Sequence, residues 1–105
     1  MEIDRIKPEE ALHYLQAGNT CFVDIRDQDS FHQGHIPTAQ HLDNQSILDF
    51  IEDTDTETSI VVYCFHGHSS ISAALYLKQK GFNNVMSLDG GFCLWQECYP
   101  DAVDQ

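Results

Sequence analysis

The chain of 105 residues is long enough for one domain with a hydrophobic core over residues 1–105 and too short for a second domain. It carries 17 acidic and 5 basic side chains, which gives a formal net charge of −12. This balance argues against nucleic acid or an anionic membrane surface as a partner, because five cations neutralise few phosphates.

No apolar run approaches the length that crosses a membrane, and residues 1–5 contain no secretion signal, so we expect a cytoplasmic protein. The four cysteines, at positions 21, 64, 93 and 98, include no C-x-x-C pair. In the cytoplasm they are expected to be free thiols rather than a disulfide framework, with a zinc site as a weaker alternative.

Apolar and amphipathic stretches alternate along the chain and predict strands separated by helices. Pro8 suits the first position of a helix that Gly18 ends. The mostly apolar strand that follows closes on Asp24 and Arg26, charged side chains that need partners at the end of a buried strand. The predicted strands cover residues 3–6, 20–25, 40–42, 60–63 and 85–88.

Three further helices are predicted between and after these strands, besides a short helical turn at residues 29–33. The candidate caps of the first are Asp43, Asn44 and Ser46, and its inner face is Ile47, Leu48 and Ile51. The inner face of the second, which ends near residue 80, is Ile71, Ala74 and Leu75. The third follows Gly90 and Gly91 and holds Phe92, Trp95 and Tyr99. This alternation predicts an α/β fold with a parallel sheet covered on both faces and a site at the carboxyl ends of the strands.

The stretch from Ile60 to Ser70 is where we expect the chemistry. Cys64 follows a buried strand and precedes a helix N-terminus, a location that lowers a thiol pKa from about 8.5 to roughly 3.5–7.5. Gly67 lets the intervening loop turn its N–H groups inward as an anion-binding nest, and Ser69 or Ser70 caps the helix and offers a hydroxyl. Cys64 is therefore predicted to be a thiolate nucleophile, with a buried structural cysteine as the alternative.

Three segments together resemble the rhodanese, or sulfurtransferase, domain. They are residues 23–26 with 31–37, the Cys64 loop, and residues 87–91 with Trp95, and they span about residues 22–95. The loop reads Cys, aromatic, His, Gly, any residue, Ser, Ser, which is similar to single-domain thiosulfate sulfurtransferases of the GlpE type. The resemblance implies a rhodanese-like, three-layer α/β/α fold with a central, mainly parallel five-stranded sheet.

The same resemblance implies a mechanism. Cys64 takes the outer sulfur of a small anionic donor such as thiosulfate, or of another persulfide, and holds it as a persulfide. It then passes the sulfur to cyanide or to a thiol acceptor, for which a thioredoxin-like protein is one candidate. Neither a metal nor an organic cofactor is implied. The implied substrate-binding residues are Phe65, His66, Gly67, His68, Ser69 and Ser70.

Other matching residues are expected to support the loop. Asp24 and Arg26 are expected to pair beneath it, His35 to hold the turn before Pro37 through hydrogen bonds, and Asp89 to cap the last helix. Gly90 and Gly91 are expected to permit close backbone approach near the loop. The residues expected to serve as core or as small hydrophobes are Trp95, Cys21, Cys93 and Cys98.

Two functional alternatives stay open. A phosphatase or arsenate reductase of the Cys-x5-Arg type needs an arginine six residues after the cysteine, a position that Ser70 occupies. The other alternative is a catalytically silent rhodanese-like module that binds a partner, against which the presence of Cys64 argues. His66 and His68 are the only potentially cationic side chains of the loop. Two roles stay open for them: they favour an anion when protonated, or they simply pack in the loop.

Overall fold

The computed structural model describes residues 2–105. Five strands and five helices alternate along them. The strands are β1 (Asp4–Ile6), β2 (Thr20–Asp24), β3 (Gln40–His41), β4 (Ser59–Tyr63) and β5 (Asn84–Leu88). The helices are α1 (Pro8–Ala17), α2 (Gln28–Gln33), α3 (Ser46–Asp53), α4 (Ser69–Gln79) and α5 (Gly91–Cys98).

The five strands form one sheet in the order β1-β5-β4-β2-β3, and every strand pairing in it is parallel. β4 lies at the centre because its side chains are apolar on both faces. Ile60 and Val62 pack on one side of the sheet, and Val61 and Tyr63 pack on the other, all four fully buried. Burial of such a side chain contributes about 1.5–3 kcal/mol, which is why the most apolar strand takes the most enclosed position.

Helices cover both faces of the sheet. The core on one face includes Ala11 from α1 and Trp95 from α5, and the core on the other includes Phe50 from α3 and Ala74 from α4. The predicted three-layer α/β/α architecture with a five-stranded parallel sheet is therefore confirmed. Within residues 2–105, no helix has the length and apolar character that crossing a membrane requires.

Two predicted helix faces are partly wrong. Leu48 was expected inside α3, but its side chain is 55% exposed, and Phe50 is the buried residue of that helix. In α4 the buried positions are Ser70, Ala74 and Leu77, whereas Ile71 and Leu75 are only half-buried. Hydrophobicity alone favours Leu75 inside, but the inward face of α4 includes Ser70, whose hydroxyl lies near the Cys64 sulfur and Ser87.

The sheet order brings several chain segments together at the end of the sheet where the strands have their carboxyl termini. β4 lies between β2 and β5, so the residues after Asp24, Tyr63 and Leu88 emerge side by side at the carboxyl ends of neighbouring strands. The C-terminal segment returns to the same region, where His35 and Asp104 exchange two backbone hydrogen bonds of 2.9 Å. This edge is where a doubly covered parallel sheet places its site.

Candidate active site

Cys64 lies directly after β4, and backbone donors surround its sulfur. The residue is 6% exposed. The N–H groups of Gly67 and Ser70 donate to Sγ at 3.2 and 3.4 Å, and Ser70 Oγ lies 3.4 Å from the same sulfur. Ser70 Oγ is in turn 2.8 Å from Ser87 Oγ of β5. The donors converge on the sulfur as they would on any bound anion, so the loop favours negative charge there.

Two opposing effects set the pKa of Cys64. Burial raises it, because a thiolate inside the protein loses hydration. Hydrogen bonds from the Ser70 hydroxyl and from the backbone N–H groups of Ser70, Gly67 and His66 stabilise the thiolate and outweigh burial. The pKa of Cys64 therefore lies below the ordinary value of a thiol, and the fraction present as a nucleophilic thiolate is larger near neutral pH.

Gly67 gives the loop its curvature. Its φ of +91° lies in the left-handed region that favours glycine, and a Cβ there would lie 2.9 Å from the backbone nitrogen of Gly90. Only a residue without a side chain can turn its N–H toward Cys64 Sγ in this position. The sequence-based prediction that Gly67 shapes an anion-binding nest describes this geometry.

The loop is also fastened to the last helix. The N–H groups of Phe92 and Cys93, in the first turn of α5, donate to the carbonyls of Cys64 and Phe65 at 2.8 and 3.0 Å. Gly91 makes this approach possible, because a Cβ there would lie 2.5 Å from both carbonyl oxygens. Two N–H groups that a helix N-terminus would otherwise leave unpaired thus fix the loop.

A buried ion pair lies behind the loop. Arg26 Nη2 is 2.7 Å from Asp24 Oδ2, and Arg26 Nε donates to both oxygens of the same carboxylate at 3.1 Å. Nη2 also donates to the carbonyl of Gly34 at 2.6 Å. The guanidinium carbon lies 4.2 Å from the ring centroid of Phe92 and 5.4 Å from that of Phe65. Arg26 thus links the end of β2 to the aromatic side chains that flank the loop.

The mouth of the site is a small pocket of about 190 Å³. It opens beside exposed side chains, among which Phe65 is 40% exposed. Its lining residues are Cys64, Phe65, His66, His68 and Ser69. A pocket of this size admits a small anion or the end of a thiol side chain, and Cys64 forms part of its wall.

The structure brings together most of the residues that the sequence singled out, but two of the expected roles differ. Asp89 does not cap α5, whose N-cap residue is Gly90; instead its carboxylate lies 3.7 Å from Arg5 Nε at the surface. Ser69 and Ser70 do not cap α4 either, because both lie inside the helix and His68 precedes it. Ser70 uses its hydroxyl on Cys64 and Ser87, which is why it is turned inward.

His35 lies in the turn as expected. Its Nδ1 is 2.8 Å from the carbonyl of Phe31, and its ring stacks on the Phe31 ring at a centroid distance of 4.0 Å. Trp95 is fully buried, and its indole N–H donates to the carbonyl of Ala102 at 2.8 Å. Cys98 departs from the expectation of a buried small hydrophobe, because it is exposed near the end of α5.

Ser87 is the site residue that sequence reasoning missed. It is the one hydroxyl within the apolar run of β5, and it is 1% exposed. A buried polar residue needs a partner, and that requirement was the available signal. Which partner it has depends on β5 lying beside β4, a fact of topology.

Within residues 2–105, no group of three His, Cys, Asp or Glu side chains is placed to hold a metal ion, and the four cysteines are free thiols. A parallel α/β sheet that presents an activated cysteine in a nest of backbone N–H groups defines a small protein built for nucleophilic sulfur chemistry.

The comparisons with known proteins identify the family. Residues 7–98 match the rhodanese-like domain, so the chain belongs to this family. It is 50% identical over 103 residues to "Thiosulfate sulfurtransferase GlpE" of Stutzerimonas stutzeri (strain A1501), covering 98% of this chain and 94% of the relative. It is also 50% identical to the protein of the same name from Pseudomonas entomophila (strain L48), over 99% of this chain and 94% of that relative.

Among solved structures, the crystal structure of reduced Bacillus anthracis CoADR-RHD superposes with a TM-score of 0.85 at 24% sequence identity. The superposition covers 98% of this chain and 18% of that much longer one, so it shows the fold alone.

Proposed function

We propose that this protein is a thiosulfate sulfurtransferase that carries sulfane sulfur as a persulfide on Cys64. The observation that carries the proposal is the arrangement around the Cys64 sulfur, which accepts from the N–H groups of Gly67 and Ser70 and lies 3.4 Å from the Ser70 hydroxyl. Curated relatives with half of their residues identical over nearly the whole chain bear the name of this activity.

In the first half-reaction the Cys64 thiolate attacks the outer sulfur of thiosulfate. A new S–S bond forms to Cys64, the S–S bond within thiosulfate breaks, and sulfite leaves with its electron pair. The persulfide that results carries its negative charge on the outer sulfur, beside the loop N–H groups that stabilise it electrostatically.

In the second half-reaction cyanide or a thiolate attacks that outer sulfur. The S–S bond to Cys64 breaks, and Cys64 leaves as the thiolate that the loop already stabilises. Because one site serves both steps in turn, the kinetics are expected to be ping-pong. Neither step transfers electrons to an external carrier, so the chemistry requires no cofactor.

The loop residues divide this work. Gly67, Ser70 and the N–H of His66 hold charge on sulfur, while Phe65, His66, His68 and Ser69 line the mouth through which donor and acceptor pass. A protonated His66 or His68 attracts an anionic donor. Among supporting residues, Asp24 and Arg26 brace the loop from behind, and His35 fixes the turn after α2.

The environment and partners follow from the same chemistry. A protein with four free cysteines functions best where thiols stay reduced, so we place it in the cytoplasm. There the donor is a small sulfane anion, thiosulfate or another persulfide, and a thiol, including that of a thioredoxin-like protein, accepts the sulfur.

Intact-mass measurement of the reduced protein tests the proposal. Thiosulfate is expected to add about 32 Da, one sulfur atom, which cyanide then removes because Cys64 holds it as a labile persulfide. Cys64→Ser is expected to gain nothing, and Cys98→Ser, which changes an exposed thiol, is expected to behave like the unmodified chain. No gain with thiosulfate or with a small persulfide donor would contradict the proposal and favour a partner-binding module.

A further inference from the structure

A row of side-chain atoms runs from the reactive sulfur through α4 to β5. Cys64 Sγ lies 3.4 Å from Ser70 Oγ, which lies 2.8 Å from Ser87 Oγ. Both serines are buried. We call the two hydroxyls of Ser70 and Ser87 the serine relay. Within residues 2–105, Ser87 makes no hydrogen bond to the sulfur itself, so any hydrogen-bonding effect it has on Cys64 passes through Ser70.

The surroundings of Ser87 are otherwise apolar. Ser87 pairs with Val62 of β4 on the face of the sheet that α4 covers. The core on that face also includes Val85, Ala74 and Leu77. A hydroxyl in such a place costs free energy unless it has a partner, and an apolar side chain avoids that cost. Packing therefore gives no reason for a serine in this position, whereas the bond to Ser70 does.

The direction of the hydrogen bonds in the relay follows from the protons that need acceptors. Each serine hydroxyl has one proton to donate. Ser70 is the only hydrogen-bond partner of the Ser87 side chain within residues 2–105. If Ser70 donated to Ser87, the buried Ser87 proton would have no acceptor, which is unfavourable. The favoured direction is therefore from Ser87 to Ser70, and it leaves the Ser70 proton for the Cys64 sulfur.

This direction suits a thiolate better than a thiol. A thiolate at Cys64 accepts from the Ser70 hydroxyl, so every proton along the row has an acceptor. A thiol donates its own proton to Ser70 Oγ, which turns the Ser70 proton toward Ser87 and leaves the Ser87 proton unpaired. The buried end of the relay thus favours the anionic form of the sulfur at its other end.

We propose that Ser87 is a positioning residue of the active site, which directs the Ser70 hydroxyl toward the Cys64 sulfur and so stabilises the thiolate. For sulfur transfer this role rests on the proposed function, and it belongs to the second half-reaction. When cyanide attacks the outer sulfur of the persulfide, the S–S bond to Cys64 breaks and its electron pair stays on Cys64. The inner sulfur gains its charge only in this step, so the relay stabilises the departing thiolate more than the persulfide.

Other titratable and charged groups also surround the loop. They are His66 and His68 of the loop, Cys93 of α5, Asp24 and Arg26 after β2, and the surface pair Arg5 and Asp89 beside β5. All of them stay in place when the side chain at position 87 changes. A comparison of variants at that position therefore isolates the relay from these charges.

The test compares Ser87→Thr with Ser87→Val, because threonine and valine have nearly the same size and only threonine carries the hydroxyl. The rate of alkylation by iodoacetamide is measured against pH, and peptide mass spectrometry follows the modification at Cys64. Ser87→Thr is expected to keep the pH midpoint of the unmodified chain, and Ser87→Val to raise it by about 0.5–1 pH unit. Ser87→Ala, which only removes atoms, is expected to raise the midpoint in the same way.

Two further measurements distinguish the relay from a structural disturbance. With Ser70→Ala as the background, Ser87→Thr and Ser87→Val are expected to share one midpoint, because the connection to the sulfur is gone. Ser59→Ala is the matched control, since it removes a hydroxyl pair with Thr20 of 3.2 Å at the other end of the sheet. It is expected to leave the midpoint unchanged. Equal midpoints for Ser87→Thr and Ser87→Val, or a difference that persists with Ser70→Ala, would overturn the inference.

Alkylation needs no sulfur donor, so it separates this inference from the proposed function. In the sulfur-loaded protein, discharge to cyanide in a single turnover is expected to be about two- to fivefold slower for Ser87→Val than for Ser87→Thr, because a thiol of higher pKa leaves more slowly. Equal discharge rates would overturn the role of the relay in the second half-reaction. A chain that shows the alkylation difference but never gains sulfur would contradict the proposed function and leave the relay in place.

Discussion

At the scale of single residues, Ser70 has two functions that its position in α4 combines. Its N–H and its hydroxyl both lie 3.4 Å from the Cys64 sulfur, and its hydroxyl also contacts Ser87. The Ser70 side chain thus acts on the Cys64 thiol and does not cap α4, the helix that contains it. The sequence indicated a serine with a hydroxyl near the loop, but residue type alone favoured a helix cap.

We expect Ser70→Ala to raise the pKa of Cys64 by roughly one to two units, because a hydrogen bond to a charged group contributes about 1.5–3 kcal/mol and one pKa unit is about 1.4 kcal/mol. The pKa of Cys64 is lowered in the unmodified protein, so thiolate reactivity falls as pH drops through that value. In the variant this fall begins at a higher pH. The rate of Cys64 alkylation by iodoacetamide against pH measures the shift.

Ser72→Ala is the control for this experiment, because Ser72 is exposed one half-turn further along the same helix. It is expected to leave the alkylation profile in place. An unchanged profile for Ser70→Ala would mean that the backbone N–H groups of Gly67, Ser70 and His66 hold the thiolate without the hydroxyl.

At the scale of elements, the entry to α5 is as much a part of the site as the loop itself. Gly18 and Gly91 both have positive φ, at +79° and +58°, but their surroundings differ. A Cβ on Gly18 would meet nothing within 4 Å, whereas a Cβ on Gly91 would lie 2.5 Å from the loop carbonyls. Alanine at Gly18 introduces backbone strain alone, whereas alanine at Gly91 introduces the same strain and a collision with the loop. Comparison of the two variants therefore separates these effects.

Gly18→Ala is expected to lower the free energy of unfolding by about 1 kcal/mol, the cost of a left-handed conformation for a residue with a side chain. Gly91→Ala is expected to lower the free energy of unfolding by more than about 3 kcal/mol. The new Cβ adds the same left-handed strain and also forces the backbone of the loop to move away from α5. Urea unfolding measures both. Equal losses would show that the loop can move away from α5 at little cost.

The secondary-structure elements also show which parts of the fold can be predicted from the sequence. Apolar runs predicted β2, β4 and β5, and Pro8 and Gly18 predicted both ends of α1, because these signals are local. The burial of Phe50 in place of Leu48 was not predictable, since both are apolar and only packing against the sheet decides which side chain points inward. The pairing of the C-terminal segment with His35 was also beyond reach, because no local pattern signals that bridge.

At the scale of the whole molecule, the net charge of −12 opposes the approach of an anionic donor. The loop attracts the anion only at short range, while the rest of the surface repels it over the Debye length. Salt that screens this surface is therefore expected to favour capture of an anionic donor.

We expect kcat/KM for thiosulfate to rise about two- to fivefold between roughly 0.01 M and 0.15 M ionic strength, as the Debye length falls from about 30 to 8 Å. Transfer of sulfur from the loaded protein to 2-mercaptoethanol, an uncharged acceptor, is expected to change little over the same range and serves as the control. A fall in kcat/KM for thiosulfate with added salt would instead mean that local positive charge, from His66 and His68, governs capture.

The hydrogen bonds from Phe92 and Cys93 to the Cys64 loop also constrain the order of events during synthesis. The nucleophile is made early, but the donors that fasten its loop come almost thirty residues later, and β5, which supplies Ser87, also comes after it. A nascent chain halted before residue 91 therefore has its thiol but lacks the fastening that shapes the nest around it. The loop around the reactive sulfur can therefore be fastened only after the last helix has been synthesised.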